Sequence, residues 1–142
     1  MTPVIVVGTD FSEAASHAIE RAVSLAATVG GHVVCVHAWQ DEPELQLRDD
    51  PTPGFEQQLR QAVLASGAHE KGVHVETVVR RGRPWEKLLN VATEVGACLI
   101  VIGARRTRNA GSKPGIGPVT ARLAAISTRL VLVVPSPGVA GP

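Results

Sequence analysis

The pattern of apolar and polar positions divides the chain into short apolar runs and longer amphipathic stretches. Continuous runs rich in β-branched residues predict four strands, at Val4–Val7, Val33–Val36, Leu99–Ile102 and Leu130–Val134. Such runs are typical of parallel strands that are buried on both faces. The run Val73–Val79 partly alternates between apolar and polar residues. It therefore predicts a fifth strand at the outside of the sheet.

Helical periodicity fills the segments between these runs. Ser12 is a residue type that caps helix N-termini, and Gly30 is one that ends helices. Pro84 and Gly96 bound a later helix in the same way. The four predicted apolar stripes are Ala15, Ile19, Ala22, Val23, Ala26 and Val29; Phe55, Leu59, Ala62 and Val63; Trp85, Leu88, Leu89, Ala92 and Val95; and Val119, Leu123 and Ile126.

The alternation of strands and helices predicts a single α/β domain over residues 1–142. We expect a Rossmann-like, three-layer α/β/α architecture around a five-stranded parallel sheet with strand order 3-2-1-4-5. The segment Gln40–Gly54 is predicted to be an acidic surface loop, and residues 136–142 a flexible tail rich in proline and glycine.

The amino-acid composition argues against several classes of protein. The chain has 142 residues, of which 44% are hydrophobic and only 3% aromatic, so the core must be aliphatic. Scarce aromatic rings argue against a stacking surface for nucleic acid, and no such partner is expected. No apolar run approaches the ~18 residues of a membrane span, and the first residues lack the basic start of a secretory signal. We therefore expect a cytoplasmic protein with no membrane partner.

The net charge of +1 conceals a marked asymmetry along the chain. No acidic residue follows Glu94, whereas six basic residues do: Arg105, Arg106, Arg108, Lys113, Arg122 and Arg129. Two interpretations of this basic segment are open: it binds an anionic ligand, or it is a solvated basic surface.

Cys35 and Cys98 do not have the spacing of metal ligands. In the predicted strand order they are two strands apart, at roughly 9.6 Å, which is too distant for a disulfide. Both are interpreted as small buried hydrophobic residues.

Open α/β sheets bind ligands at the carboxyl ends of their strands. In this chain those ends are followed by Thr9-Asp10, His37-Ala38 and the basic, glycine-rich connection Ala104–Gly117. Neither the Walker A pattern nor the G-x-G-x-x-G fingerprint is present. His37 is interpreted either as a ligand contact or as a structural histidine.

Several segments together resemble the universal stress protein family over about residues 3–135. They are Val4–Ser12 (V-I-V-V-G-T-D-F-S), Val36-His37-Ala38, Arg81–Pro84, Gly96–Gly103, Gly117–Arg122 and Val131–Pro135. The resemblance implies the fold of the adenine-nucleotide alpha hydrolases and, in many members, ATP binding. By position it implies that Asp10 reads the adenine edge and that Thr9 and Ala38 line the base and ribose pocket. It implies that Gly103 and Gly117 let the backbone approach the phosphates, and the candidate binding residues beside them are Arg105, Arg106, Pro118 and Val119.

The family's phosphate motif, G-x-x-G-x(9)-G-[ST], is altered in this chain. Arg106 replaces the second glycine, the segment up to Gly117 is one residue longer, and Pro118 replaces the serine or threonine. Proline lacks both the N–H and the hydroxyl that would reach a phosphate. Two interpretations of the neighbouring arginines stay open: they replace the missing donors, or they form a surface loop. Asp10 likewise either reads a base or only caps the first helix.

These observations predict a cytoplasmic stress-response regulatory module that binds ATP or AMP weakly or with altered phosphate geometry, with Mg²⁺ entering only alongside a nucleotide. The alternative is a member without nucleotide binding that acts by dimerisation and protein contacts. The resemblance implies a homodimer through Leu130–Val134. No nucleophile–base pair is visible, so efficient catalysis is not expected, although weak ATP hydrolysis stays open.

Overall fold

Five parallel strands form one sheet in the order β3-β2-β1-β4-β5, which confirms the predicted order. The computed structural model describes residues 2–41, 50–104 and 118–135. The strands are β1 (Val4–Gly8), β2 (His32–Trp39), β3 (Val75–Arg81), β4 (Leu99–Gly103) and β5 (Leu130–Val134). The register places Val7 of β1 between Cys35 of β2 and Val101 of β4. The central strand β1 is therefore covered on both sides by neighbouring strands.

Within the described residues, four helices lie between the strands, and the first and third begin and end at the residues that the sequence predicted. They are α1 (Glu13–Val29), α2 (Thr52–Ala65), α3 (Pro84–Val95) and α4 (Pro118–Ile126). The hydroxyl of Ser12 accepts a hydrogen bond from the Ala15 amide at 3.2 Å and so caps α1. Gly30 and Gly96 end α1 and α3 in the left-handed conformation, which glycine adopts at low cost.

Two aliphatic clusters lie on opposite faces of the sheet. On one face α1 and α2 cover a cluster around Ile19 and Leu59, which are fully buried. On the other face α3 and α4 cover a cluster around Ile100 and Leu123. Because side chains alternate along a strand, Val4 and Val6 of β1 enter the second cluster, and Ile5 and Val7 enter the first. The three-layer α/β/α architecture predicted from the sequence is confirmed.

Three local predictions were wrong. Val29 is 53% exposed and Ile126 is 45% exposed, because each lies in the last turn of its helix, beyond the residues that face the sheet. Helix α2 begins at Thr52, inside the predicted acidic loop, where the Asp50 carboxylate accepts a hydrogen bond from the Thr52 amide. The rest of that loop, residues 42–49, and the predicted tail, residues 136–142, lie outside the described residues.

The two cysteines occupy different environments. Cys35 is buried in β2, as predicted, and burial raises its thiol pKa to about 12. Cys98 is exposed, so the prediction that both thiols are buried was wrong. Cys98 lies between α3 and β4, where its amide and its Sγ both donate to the Val4 carbonyl, at 2.9 Å and 3.4 Å, while the residue itself stays exposed. Among the described residues, no helix is long and apolar enough to cross a membrane.

Candidate functional site

The carboxyl ends of β1, β2 and β4 lie side by side and form the candidate site. In the order β3-β2-β1-β4-β5 the chain connections reverse direction between β1 and β4, and open α/β sheets bind ligands at this point. The structure brings the predicted residues Thr9, Asp10, Ala38 and Gly103 to this one edge. Thr9 is buried, Ala38 and Gly103 are half-buried, and Asp10 is exposed.

Hydrogen bonds within the turn and to β2 hold the segment Thr9–Ser12, between β1 and α1. The Thr9 amide donates to the Val36 carbonyl at 2.9 Å, which anchors the turn to β2. The Phe11 amide donates to the Thr9 hydroxyl at 3.0 Å, and the Ser12 amide donates to the Asp10 carboxylate at 3.0 Å. Asp10 thus supports the entry to α1, while Ser12 is the cap itself. The carboxylate is therefore held in place at the edge where ligands bind.

Phe11 has the left-handed backbone conformation, with φ at 64°. This conformation costs a residue with a side chain roughly 1–2 kcal/mol. It is retained because the Phe11 ring packs on the His37 ring, with 4.4 Å between centroids, while its amide bonds to Thr9. Strain of this kind is found where the surroundings fix a functional conformation.

An aromatic cluster covers the β2 side of this turn. Phe55, at the start of α2, lies 4.6 Å from the His37 ring and 6.3 Å from the Trp39 ring, both measured between centroids. The whole chain has two phenylalanines and two tryptophans. Three of these four rings therefore meet at the candidate site. Sequence reasoning missed the cluster, although each of the three residues stands next to a strand or helix end.

His37 is a buried histidine, only 8% exposed, rather than an open ligand contact. Its Nδ1 lies 2.8 Å from the Thr9 carbonyl oxygen. Its Nε2 is buried and has no hydrogen-bond partner among the described residues.

Gly103, predicted to approach phosphates, has a structural reason to lack a side chain. A Cβ at this position would lie 2.5 Å from the Ala14 carbonyl oxygen and 3.0 Å from the Ala15 amide nitrogen. The first turn of α1 therefore packs directly against the end of β4. Whether Gly103 also contacts a ligand stays a prediction.

Replacing Gly103 with alanine is expected to lower the free energy of unfolding by about 1–3 kcal/mol, because the backbone of α1 must move away. Urea denaturation measures this difference. Gly54→Ala is the matched control, since nothing lies within 4 Å of a Cβ at Gly54 in α2. That control should be neutral or stabilising by up to about 1 kcal/mol. If Gly103→Ala proves as stable as the unchanged chain, this account of the close packing is wrong.

The predicted phosphate-binding side of the site is only partly described. Arg105, Arg106 and Gly117 lie outside the described residues. Pro118 and Val119 form the first turn of α4, the place where proline is tolerated and where backbone amides point outward. The helix is anchored by Leu123, which is fully buried.

Two of the six basic residues after Glu94 have structural contacts. The guanidinium of Arg122 lies over the Trp85 ring at 5.2 Å from its centroid. Arg129 donates from Nε to the Ala97 carbonyl at 2.9 Å. The other four lie outside the described residues, so both interpretations of the basic segment stay open. Within the described ranges, no group of three histidine, cysteine or acidic side chains is placed to hold a metal ion.

Comparison with known proteins finds universal stress proteins, both by sequence and by structure. Residues 1–135 match the sequence profile of the Universal stress protein family. A 67-residue stretch is 39% identical to Universal stress protein YxiE of Bacillus subtilis (strain 168), covering 47% of this chain and 45% of that relative. The matched stretch thus spans less than half of the curated relative.

Two solved structures are similar over nearly the whole chain. A universal stress protein in complex with cAMP is 27% identical, with a TM-score of 0.68, over 95% of this chain and 98% of that one. The universal stress protein from Archaeoglobus fulgidus in complex with dAMP is 22% identical, with a TM-score of 0.71, over 94% and 98% of the two chains. The second likeness shows the fold alone.

Proposed function

The chain belongs to the universal stress protein family, and from this premise we propose that it is a cytoplasmic regulatory module that binds an adenine nucleotide. The observation that carries the proposal is the Thr9–Ser12 turn. It holds the Asp10 carboxylate at the carboxyl edge of the sheet, where the chain connections reverse. In this proposal Asp10 accepts from the exocyclic amino group of adenine, and Thr9 and Ala38 line the base and ribose pocket.

The proposed affinity is modest because the phosphate motif is altered. Arg106 and Pro118 replace residues that would bring backbone amides and a hydroxyl to the phosphates. The similar universal stress protein at 27% identity is in complex with cAMP, a nucleotide with a single phosphate. In this proposal the base-binding side of the site is intact and the phosphate-binding side is weakened. Such a site favours ligands like AMP, because the additional phosphates of ATP would add little affinity.

The proposal assigns no catalytic step. No acidic residue follows Glu94, so the phosphate-binding segment supplies no carboxylate to hold Mg²⁺ or to activate a water molecule. Asp10 follows β1 at the candidate edge, and here it is assigned to the base. The proposed function is therefore binding that changes the protein's interactions, rather than turnover.

Replacing Asp10 with alanine is expected to weaken AMP binding at least tenfold, because a hydrogen bond to a charged group is worth about 1.5–3 kcal/mol. Isothermal titration calorimetry measures the affinity. Asp50→Ala is the matched control: Asp50 accepts from the Thr52 amide at 3.0 Å, as Asp10 accepts from the Ser12 amide at 3.0 Å. Each replacement removes a carboxylate that accepts from a backbone amide at a helix start, but only Asp10 lies at the candidate site.

The two variants separate base recognition from support of the helix start. A loss of AMP affinity in Asp10→Ala but not in Asp50→Ala, with both variants folded, supports the proposal. Equal AMP affinity in both variants and the unchanged chain contradicts the role of Asp10 and leaves it as part of the entry to α1.

Protein contact through β5 is a second candidate function, favoured by the exposure of that strand. β5 lies at the edge of the sheet, and Leu130 at its start is 74% exposed. An apolar strand edge of this kind is a ready surface for pairing with another chain. We propose that it forms a homodimer, which is compatible with nucleotide binding at the other end of the strands.

A further inference from the structure

His37 contacts both flanks of Asp10. Its Nδ1 lies 2.8 Å from the carbonyl oxygen of Thr9, the residue before Asp10. Its ring lies 4.4 Å from the ring of Phe11, the residue after Asp10.

The contact with Thr9 determines where the proton of a neutral His37 ring is placed. A carbonyl oxygen only accepts hydrogen bonds, so Nδ1 must be the protonated donor. Nε2 is then left as an acceptor, and it is buried without a partner among the described residues. An apolar side chain of similar size would fill the same space without burying an unpartnered nitrogen. What histidine adds at this position is the hydrogen bond from Nδ1 to the Thr9 carbonyl. This bond explains why a residue with an unpaired buried nitrogen, Nε2, stands here.

The ring is fixed in place by its neighbours. Phe55 packs against it with 4.6 Å between centroids, and Phe11 packs against both, at 6.2 Å from Phe55. His37 itself is on β2, beside β1, and its side chain is only 8% exposed. A donor that is fixed on a strand can hold the Thr9 carbonyl more accurately than the turn could hold itself.

We propose that His37 is a positioning residue for the nucleotide site. Its Nδ1–H holds the Thr9 carbonyl and its ring holds Phe11, so that the Asp10 carboxylate keeps the orientation that reads the base. This inference rests on the proposed function, because the ligand is the proposed adenine nucleotide. The contacts of His37 with Thr9 and Phe11 are present without any ligand.

Nuclear magnetic resonance of the unliganded, unchanged chain tests the first step. The imidazole nitrogen shifts of His37 should show the tautomer with the proton on Nδ1. The tautomer with the proton on Nε2 alone would overturn the proposal, because Nδ1 could not then donate to Thr9.

Two variants test the second step. His37→Asn keeps a donor, since its side-chain nitrogen is the same number of bonds from Cβ as Nδ1, whereas His37→Leu has none. The readout is hydrogen exchange of the Phe11 and Ser12 amides, whose bonds define the turn. In His37→Leu their exchange should rise about tenfold or more, and His37→Asn should stay within about threefold of the unchanged chain. The Val34 amide in the middle of β2 is the control and should not change.

The same variants are then titrated with AMP. His37→Leu should bind about tenfold more weakly, and His37→Asn within about threefold of the unchanged chain. If the unchanged chain binds no nucleotide, the proposed function fails, while the exchange measurement still decides the role of His37. Equal exchange at Phe11 and Ser12 in both variants and the unchanged chain would overturn the positioning role. Should His37→Leu not fold, the imidazole tautomer of the unchanged chain still decides.

Discussion

Replacing Pro118 with serine is expected to strengthen ATP binding by about 10²-fold or more. The substitution returns a backbone N–H and a hydroxyl to the position where the family motif has serine or threonine. Each hydrogen bond to a charged phosphate is worth about 1.5–3 kcal/mol, so two correspond to roughly 10²–10⁴ in affinity. Helix α4 begins at Pro118, and serine is also accepted at a helix start, so the fold should be retained.

Pro118→Ala divides the effect into its two parts. Alanine returns the N–H without the hydroxyl, so its ATP affinity should fall between those of the unchanged chain and Pro118→Ser. Calorimetry at one fixed salt concentration measures all three, and thermal unfolding checks that stability is similar. If ATP affinity is the same in all three proteins, the proline is not what weakens phosphate binding. The interpretation in which the neighbouring arginines replace the missing donors would then be favoured.

The stability of the protein is expected to fall above pH 9 because of Cys35. Burial raises the thiol pKa from 9.0 to about 12 in the folded chain. Below pH 9 the thiol is protonated in both folded and unfolded chains, and its contribution to stability is fully present. Between about pH 9 and pH 12 the unfolded chain releases this proton and the folded chain does not. The free energy of unfolding should therefore decrease by about 1.4 kcal/mol per pH unit from this group.

Urea denaturation at pH 8 and pH 10.5 tests this dependence with two variants. Cys35→Ala should lose about 2 kcal/mol less than the unchanged chain between these pH values, because the titrating group is gone. Cys98→Ala is the control, since Cys98 is exposed and its removal should leave the decrease unchanged. An equal decrease in the Cys35→Ala protein would show that the buried thiol does not cause it.

The sequence predicted most of the fold because its signals are local and agree with one another. The apolar runs of β1, β2, β4 and β5 are short and β-branched, and the ends of α1 and α3 carry Ser12, Gly30 and Gly96. Exposure was harder to predict. Periodicity assigns Val29 to the apolar stripe of α1, but it cannot show that the helix extends past the sheet at that point.

The candidate site was predicted in outline and missed in detail. Asp10 follows a buried strand, and this position alone places it at the carboxyl edge of the sheet. The contact of Phe55 with His37 depends on where α2 lies, after a long connection whose path the sequence pattern does not indicate. The close packing of Gly103 against Ala14 likewise joins residues far apart in sequence, so only the folded chain shows why a side chain is excluded there.

A calorimetric titration of the unchanged chain with AMP, cAMP and ATP tests the central claim, adenine-nucleotide binding, most directly. The account predicts saturable binding of one nucleotide per chain, with Kd between about 1 μM and 1 mM. It also predicts that ATP gains little affinity over AMP, because the phosphate-binding motif is altered. The absence of saturable heat with every one of these nucleotides at millimolar concentration would contradict the account and leave protein contact through β5 as the function to pursue.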